Sequence, residues 1–270
     1  MAVTHLLVGA GKMGGALLNG WLDSGIVKPR KLAILDPSPG PKAILAIERG
    51  AKHLINASDI PNSVQTVLLA IKPQMFNDIA PELAAALPAH AMIISILAGT
   101  SLRQLNQAFD GRIVIRAMPN SPAAIGAGIS AIYVDPKILE EKIEETATLL
   151  KPGGEVVWVE SETALNAVTA VSGSGPAYVF HLVEALEAGA LALDLPAEVA
   201  AKLARETIIG SAKLLSESND SPETLRKNVT SPNGTTQAAL DVLMGEDGGL
   251  SKMIIATVRA AFARAKQLAK

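Results

Sequence analysis

An apolar segment near the start of the chain runs directly into a turn with the spacing G-x-G-x-x-G. Residues 6–8 read Leu-Leu-Val, and the glycines are Gly9, Gly11 and Gly14. The first glycine permits a tight turn, the second lets a pyrophosphate approach the backbone, and the third lets the following helix pack against the strand. This segment predicts a dinucleotide site at a helix N-terminus. The alternative is an ordinary glycine turn.

An acidic residue about 20 positions further on normally binds the adenosine ribose in such a site. Asp36 ends the next apolar run and fits this position. Its carboxylate can accept from both ribose hydroxyls of NADH and would repel the 2′-phosphate of NADPH, which favours NADH. NADPH stays open, because Ser38, Lys42 and Lys12 are able to cradle a phosphate if Asp36 turns away.

Composition excludes several classes of function. The net charge of −2 gives no electrostatic basis for binding nucleic acid or an anionic membrane. The chain has no cysteine and four scattered histidines, so we expect no disulfide, no thiol nucleophile and no metal site. No apolar run is long enough to span a bilayer, and the N-terminus does not resemble a signal peptide. We therefore expect a soluble cytoplasmic protein.

The first 160 residues alternate between strand and helix patterns. Apolar runs predict further strands at 64–71, 91–97, 113–118, 129–134 and 155–159, and continuous apolar runs are typical of parallel strands covered on both faces. Helix patterns lie between them at 42–49, 75–87, 101–108 and 136–150. The predicted fold class is α/β, with an N-terminal Rossmann-like doubly wound sheet over residues 1–160.

Residues 161–270 show helix patterns only, at 164–171, 176–194, 197–218, 221–228, 235–244 and 250–269. The segment Ala177–Leu193 is apolar on nearly all sides, and such a helix must be buried on all sides. We therefore predict an all-α C-terminal domain that forms a homodimer. The alternative is a helical subdomain packed wholly on its own sheet.

Two short loops directly follow apolar strands, where a doubly wound fold places its ligand. Ala70, Lys72 and Pro73 lie in the first loop, and Asn120 lies in the second. The prolines fix these turns, and Lys72 and Asn120 offer hydrogen-bond donors. The alternative for Lys72 is a solvated lysine at a helix start.

A third loop of small residues, Ser231–Thr236, leads into a helix pattern. N–H groups of Gly234, Thr235 and Thr236 would form a nest for a carboxylate, and the threonines add hydroxyl groups. The alternative is a simple helix cap. A related loop at 171–176, Val-Ser-Gly-Ser-Gly-Pro, precedes the apolar helix and permits close backbone approach.

Taken together, these segments resemble the Δ1-pyrroline-5-carboxylate reductases over the whole chain. The likeness includes the glycine-rich turn, both strand-end loops, residues 172–178 at the start of the apolar helix, the loop 231–236 and Asp247-Gly248-Gly249-Leu250. One departure is Asn233, where the family usually has glycine; asparagine tolerates positive φ better than most residues.

The resemblance implies that hydride from NADH or NADPH reduces 1-pyrroline-5-carboxylate to L-proline. It implies that the Thr236 hydroxyl, as the catalytic group, hydrogen-bonds the imine nitrogen. The N–H groups of Gly234 and Thr235 would hold the carboxylate, with Ser231 and Asn233 completing the substrate loop. It also implies that dimers assemble further into a ring of five, a decamer. The predicted cofactor-binding residues are Gly9, Gly11, Lys12, Met13, Gly14, Asp36, Ser38, Ala70, Lys72, Pro73 and Asn120.

Two other functions stay open at this point. A β-hydroxyacid dehydrogenase has a similar layout, but that class requires a lysine in the first helix after the sheet, and residues 172–194 contain none. A non-catalytic sensor of dinucleotide or proline is the second possibility. Proline-dependent reduction of NAD(P)+ by the pure protein would separate an enzyme from a sensor.

Overall fold

One eight-stranded sheet organises the first part of the chain in the computed structural model, which describes residues 2–135 and 137–268. The strands are β1 His5–Val8, β2 Leu32–Leu35, β3 Lys52–Leu54, β4 Thr66–Leu69, β5 Met92–Ser95, β6 Val114–Met118, β7 Gly128–Tyr133 and β8 Gly154–Trp158. The sequence did not predict β3, because it has only three residues and only the last is buried.

The strand order is β3-β2-β1-β4-β5-β6-β7-β8. Strands β1 to β6 are parallel, with β1 between β2 and β4. The order therefore reverses at the β1–β4 junction, which is where doubly wound sheets bind ligands. Strand β7 runs antiparallel to β6, and β8 is parallel to β7. The direction reverses at this edge because no full helical crossover separates β6 from β7.

Two apolar cores cover the two faces of this sheet. Leu6 and Val8 of β1 belong to one core, and Leu7 belongs to the other. The same alternation continues in β4, where Val67 and Leu68 point to opposite cores. Both faces of the central strands are buried, which explains their continuous apolar sequences.

The described helices agree with most of the sequence patterns. They are α1 Lys12–Ser24, α2 Pro41–Glu48, α3 Phe76–Ala86, α4 Leu102–Ala108, α5 Glu140–Leu150, α6 Glu162–Val168, α7 Gly175–Leu191, α8 Ala197–Glu217, α9 Pro222–Asn228, α10 Thr235–Leu243 and α11 Leu250–Leu268. Helix α5 begins four residues later than predicted. The predicted helix ends at Pro136 and Ala269 lie outside the described residues.

The segment predicted as a loop at 171–176 is helical instead. Residues Thr169–Gly173 form a π-helical turn that connects α6 to α7. The N–H of Ser174 donates to the carbonyl of Thr169, five residues earlier, at 2.8 Å. The small residues here therefore adopt helical geometry instead of forming a loop.

The described residues form two compact units. One comprises the described parts of Met1–Ser174 and Ala261–Lys270, and the other is Gly175–Ala260. The second unit contains helices alone among its described elements. None of the helices described is both long enough and apolar enough to cross a membrane.

Helix α7 carries large apolar side chains that its own chain leaves uncovered. Phe180 is 63% exposed, and no residue of α7 is buried within the single chain. Other exposed apolar residues on it are Val179, Leu182, Leu186 and Leu191. Burial of such a surface requires a second protein surface. This observation favours a dimer over the alternative of a helical subdomain packed wholly on its own sheet.

The substitution Phe180→Glu tests whether α7 lies in an interface between copies. A carboxylate in an apolar interface is costly to desolvate, so we expect the oligomer to dissociate at micromolar concentration. Multi-angle light scattering gives the mass, and Lys28→Glu, on an exposed turn of the other unit, serves as the control. An unchanged mass for Phe180→Glu would contradict this placement of the interface.

Candidate active site

The three glycines of the first turn have three different environments. Gly9 has a φ of +85°, and a Cβ there would lie 2.9 Å from the carbonyl oxygen of Ala70. A Cβ at Gly14 would lie 2.1 Å from the carbonyl oxygen of Gly9. A Cβ at Gly11 would meet no protein atom within 4 Å. The first and third positions therefore need glycine for backbone reasons, whereas Gly11 faces open space in which a ligand fits.

Asp36 directly follows β2, and both of its carboxylate oxygens accept backbone N–H groups. Oδ2 accepts from Ala10 at 2.7 Å, and Oδ1 accepts from Ser38 at 2.9 Å. The bond to Ala10 joins the end of β2 to the glycine-rich turn. The carboxylate thus supports the predicted phosphate-binding loop, and its contact with a ribose stays a prediction.

A cavity of about 410 Å³ opens beside this turn, within the size range of ligand sites. Its lining includes Gly11, Lys12, Ser38 and Lys42. The cavity thus connects the start of α1 with the loop after β2, the two places where a dinucleotide is held. Met13 packs partly against the core instead of lining the cavity.

The loop after β4 lies beside the glycine-rich turn. Ala70 contacts the positions of both Gly9 and Gly14, as the added Cβ distances show. Lys72 is exposed and precedes a short 3-10 turn that starts at Pro73. Its ammonium group makes no hydrogen bond to the other described residues, which leaves it available to a ligand.

Asn120, after β6, uses its side chain within the protein. Its Oδ1 accepts from the N–H of Ile129 at 2.9 Å, and its Nδ2 donates to the carbonyl of Ser172 at 3.2 Å. Pro176 has no N–H to give to this carbonyl four residues earlier in the chain. Asn120 therefore fixes the loop and the π-helical turn, and its contact with a cofactor stays a prediction.

An ion pair that the sequence did not predict, between buried Arg116 and half-buried Glu162, lies next to these loops. Nη1 of Arg116 lies 2.8 Å from Oε1 of Glu162, and this oxygen also accepts the N–H of Leu102 at the start of α4. Arg116 also donates to the carbonyl of Leu97 at 3.4 Å. The pair thus joins β6 to α6 and to the segment after β5. A lone arginine in a buried apolar strand was the available signal.

The loop 231–236 belongs to the second unit. Asn233 has a φ of +58°, a region that favours glycine or asparagine. The N–H of Gly234 donates to the carbonyl of Ser231 at 3.0 Å, so this predicted nest donor is already engaged in the turn. Helix α10 begins at Thr235, and its first residues have no partner four residues earlier for their N–H groups. Thr235 and Thr236 therefore provide the available donors.

Comparisons with known proteins agree with this architecture. Residues 162–268 match the family model for pyrroline-5-carboxylate reductase dimerisation, and residues 5–99 match the model for NADP oxidoreductase, coenzyme F420-dependent. The chain is 35% identical to a pyrroline-5-carboxylate reductase of Synechocystis over the full length of both proteins. The chain belongs to the pyrroline-5-carboxylate reductase family.

Other relatives agree with this assignment. A pyrroline-5-carboxylate reductase of Glycine max is 33% identical over 97% of this chain and 94% of its own length. A solved pyrroline-5-carboxylate reductase of Coxiella burnetii has a TM-score of 0.89 and 29% identity, with 99% of each chain covered. As a member of this family, the chain is an NAD(P)H-dependent oxidoreductase of proline biosynthesis and a homo-oligomer with a small-molecule substrate.

Substitution of Gly11 tests the predicted phosphate approach. A valine here meets no protein atom but fills the open space above the turn, so Gly11→Val should lose most dinucleotide affinity while the protein still folds. Calorimetry gives the affinity, and circular dichroism reports the fold. Gly14→Val is the contrasting variant, because its Cβ overlaps the Gly9 carbonyl and should destabilise the fold itself. Wild-type affinity in folded Gly11→Val would refute the site.

Removal of Glu162 tests its ion pair with the buried Arg116. Glu162→Ala leaves Arg116 buried without its counter-charge, and we expect a loss of about 3 kcal/mol in the free energy of unfolding. Urea denaturation measures it. The control Glu223→Ala breaks the exposed pair with Lys227 and should cost about 1 kcal/mol or less. Equal losses in the two variants would contradict the special role of Arg116–Glu162.

Proposed function

We propose that this chain reduces 1-pyrroline-5-carboxylate to L-proline with residues 231–236 as the substrate-binding loop and Thr236 as the catalytic residue. The reaction is inferred from membership of the family, and in it hydride from NADH or NADPH adds to the carbon of the C=N bond. The observation that carries the residue assignment is the turn at Asn233 and Gly234, which leads straight into the first turn of α10.

The substrate carboxylate would bind at the start of α10. N–H groups of Thr235 and Thr236 are directed along the helix axis away from the helix, and the helix dipole adds partial positive charge there. The Ser231 carbonyl holds Gly234 in place, and a Cβ at Gly234 would lie 2.3 Å from Oγ of Ser231. The hydrogen bond fixes the turn ahead of these N–H groups, and binding groups positioned in advance lower the entropic cost of orienting the substrate.

The Thr236 hydroxyl would act on the imine nitrogen. The imine nitrogen is protonated before the transfer, hydride adds to C5, and the π electron pair moves to nitrogen as its lone pair, which yields the secondary amine of proline. An acceptor oxygen at Thr236 holds the N–H of the protonated imine and fixes the orientation of C5. No covalent nucleophile is needed, in keeping with a chain that has no cysteine.

The cofactor supplies the hydride, and the first unit would bind it. The cavity at Gly11 fits the phosphates, since a Cβ there meets open space. We assign the pyrophosphate to Gly9, Gly11, Lys12, Met13 and Gly14. The adenosine ribose belongs to Asp36 and Ser38, and the nicotinamide belongs to Ala70, Lys72, Pro73 and Asn120.

The proposal includes a domain division near residue 160, with residues 161–270 as the dimerisation and substrate-binding domain. The exposed apolar face of α7 supports dimers formed through this domain. Five such dimers in a ring would give a decamer. A cytoplasmic location belongs to the proposal because the reaction consumes the reduced nicotinamide nucleotides of that compartment.

Threonine substitutions test the catalytic assignment. A hydrogen bond to a charged group contributes about 1.5–3 kcal/mol, so Thr236→Ala should lower kcat about ten- to a hundredfold with little change in cofactor affinity. Thr236→Ser retains the hydroxyl and should keep much of the activity. Oxidation of NADPH by 1-pyrroline-5-carboxylate is followed at 340 nm.

Thr257→Ala serves as the matched control, because the Thr257 hydroxyl donates to the Met253 carbonyl within α11. This variant should retain wild-type kcat. The assignment of Thr236 fails if Thr236→Ala has the same kcat as Thr257→Ala.

A further inference from the structure

A cavity of about 400 Å³ in the second unit is lined by residues of both α9 and α10. Arg226 and Lys227 belong to α9, and Gln237 and Asp241 belong to α10. Cationic and anionic side chains thus reach the same cavity from different helices. The volume lies within the size range of small-molecule sites.

The guanidinium group of Arg226 has no strong hydrogen-bond acceptor among the described residues. Nη1 donates to Sδ of Met244, and a thioether sulfur is a weak acceptor. Nη2 lies 4.0 Å from Oε1 of Glu223, which is beyond hydrogen-bond distance. The Arg226 side chain is nevertheless only 34% exposed, compared with 68% for Lys227, whose ammonium group pairs with the same Glu223 oxygen at 2.8 Å. A guanidinium in this state favours a carboxylate, which accepts two of its N–H groups at once.

Asp241 carries the opposite charge and has one carboxylate oxygen available. Oδ1 accepts from Nε2 of Gln237 at 2.7 Å, whereas Oδ2 has no hydrogen-bond partner within residues 2–135 and 137–268. In the same described ranges, Arg226 and Asp241 form no ion pair with each other, although both line this cavity. The two charges therefore leave a gap that a molecule carrying both signs of charge would bridge.

We infer that this cavity is a regulatory site for a small α-amino acid, bound as its zwitterion. The carboxylate of the ligand binds the Arg226 guanidinium, and its ammonium group binds Oδ2 of Asp241. Leu240 and Met244 line the same cavity and provide apolar contacts for an aliphatic side chain. The ligand class is therefore an amino acid with an aliphatic side chain.

The substrate-binding loop 231–236 begins at the edge of this cavity. Thr230 lines the cavity, and its hydroxyl donates to the carbonyl of Arg226 at 2.7 Å. A ligand that contacts both α9 and α10 fixes the separation of the two helices that this loop joins. A loop held in place in advance binds its substrate at a lower entropic cost, so we expect the amino acid to lower the KM for 1-pyrroline-5-carboxylate. This regulatory effect rests on the proposed function of residues 231–236.

Calorimetry with L-leucine and two analogues tests the binding without catalysis. The analogue 4-methylpentanoate lacks the ammonium group, and 3-methylbutylamine lacks the carboxylate. Wild type should bind L-leucine with a Kd of about 1 mM or below, and each analogue about tenfold more weakly or worse. Arg226→Gln and Asp241→Asn should each weaken leucine binding about tenfold or more. The matched control is Arg205→Gln, which removes an exposed arginine of α8 and should keep the wild-type Kd.

Three results would overturn the site. They are a wild type that does not bind L-leucine at 10 mM, analogues that bind as tightly as L-leucine, and an Arg226→Gln variant with the Kd of Arg205→Gln.

A further variant and kinetics separate this site from the proposed active site. Thr236→Ala should keep the wild-type Kd for L-leucine, because Thr236 does not line the cavity; a loss of binding would place leucine in the substrate-binding loop and overturn the site. Saturating L-leucine should lower the KM for 1-pyrroline-5-carboxylate about fivefold in wild type and leave it unchanged in Asp241→Asn. Leucine binding with an unchanged wild-type KM would overturn the regulation. Leucine binding by a protein that does not turn over 1-pyrroline-5-carboxylate would overturn the proposed reaction and leave the site standing.

Discussion

The backbone contact between Gly14 and Gly9 is the constraint on which the cofactor site depends. A Cβ at Gly14 would lie 2.1 Å from the Gly9 carbonyl oxygen, so only glycine lets α1 start this close to the end of β1. That approach places the first N–H groups of α1 beside the β1–β4 junction of the sheet. The same turn packs against Ala70, which directly follows the neighbouring strand β4. The cavity beside Gly11 follows from this packing.

Polar side chains then fix the loops that the sheet places at this edge. Asp36 ties the loop after β2 to the glycine-rich turn, and Asn120 ties the loop after β6 to the π-helical turn. Glu162 joins Arg116 to the N-terminus of α4. Each of these contacts links segments distant in sequence through a group buried or half-buried at the strand ends. Such links orient a site more precisely than isolated loops do.

Local sequence patterns predicted much of the fold. Strand pairings and hydrogen bonds between segments distant in sequence could not be predicted from these patterns. Continuous apolar runs identified the central strands because both of their faces are buried. The short strand β3 was not predicted, and neither was the antiparallel direction of β7, since both depend on neighbouring strands rather than on their own residues. The position of Asp36 directly after β2 was predicted correctly. Its hydrogen bonds to the N–H groups of Ala10 and Ser38 were not predicted, because they depend on the tertiary structure. The π-helical turn was missed because glycine and serine resemble a loop.

Direct transfer of hydride to the imine carbon of the substrate is the step on which the proposed function depends. NADPH carrying deuterium in both positions at C4 of its nicotinamide tests this most directly, with 1-pyrroline-5-carboxylate as the substrate and mass spectrometry of the product. We predict L-proline that contains one deuterium, located at C5. Proline without deuterium, or deuterium at another carbon, would contradict the account.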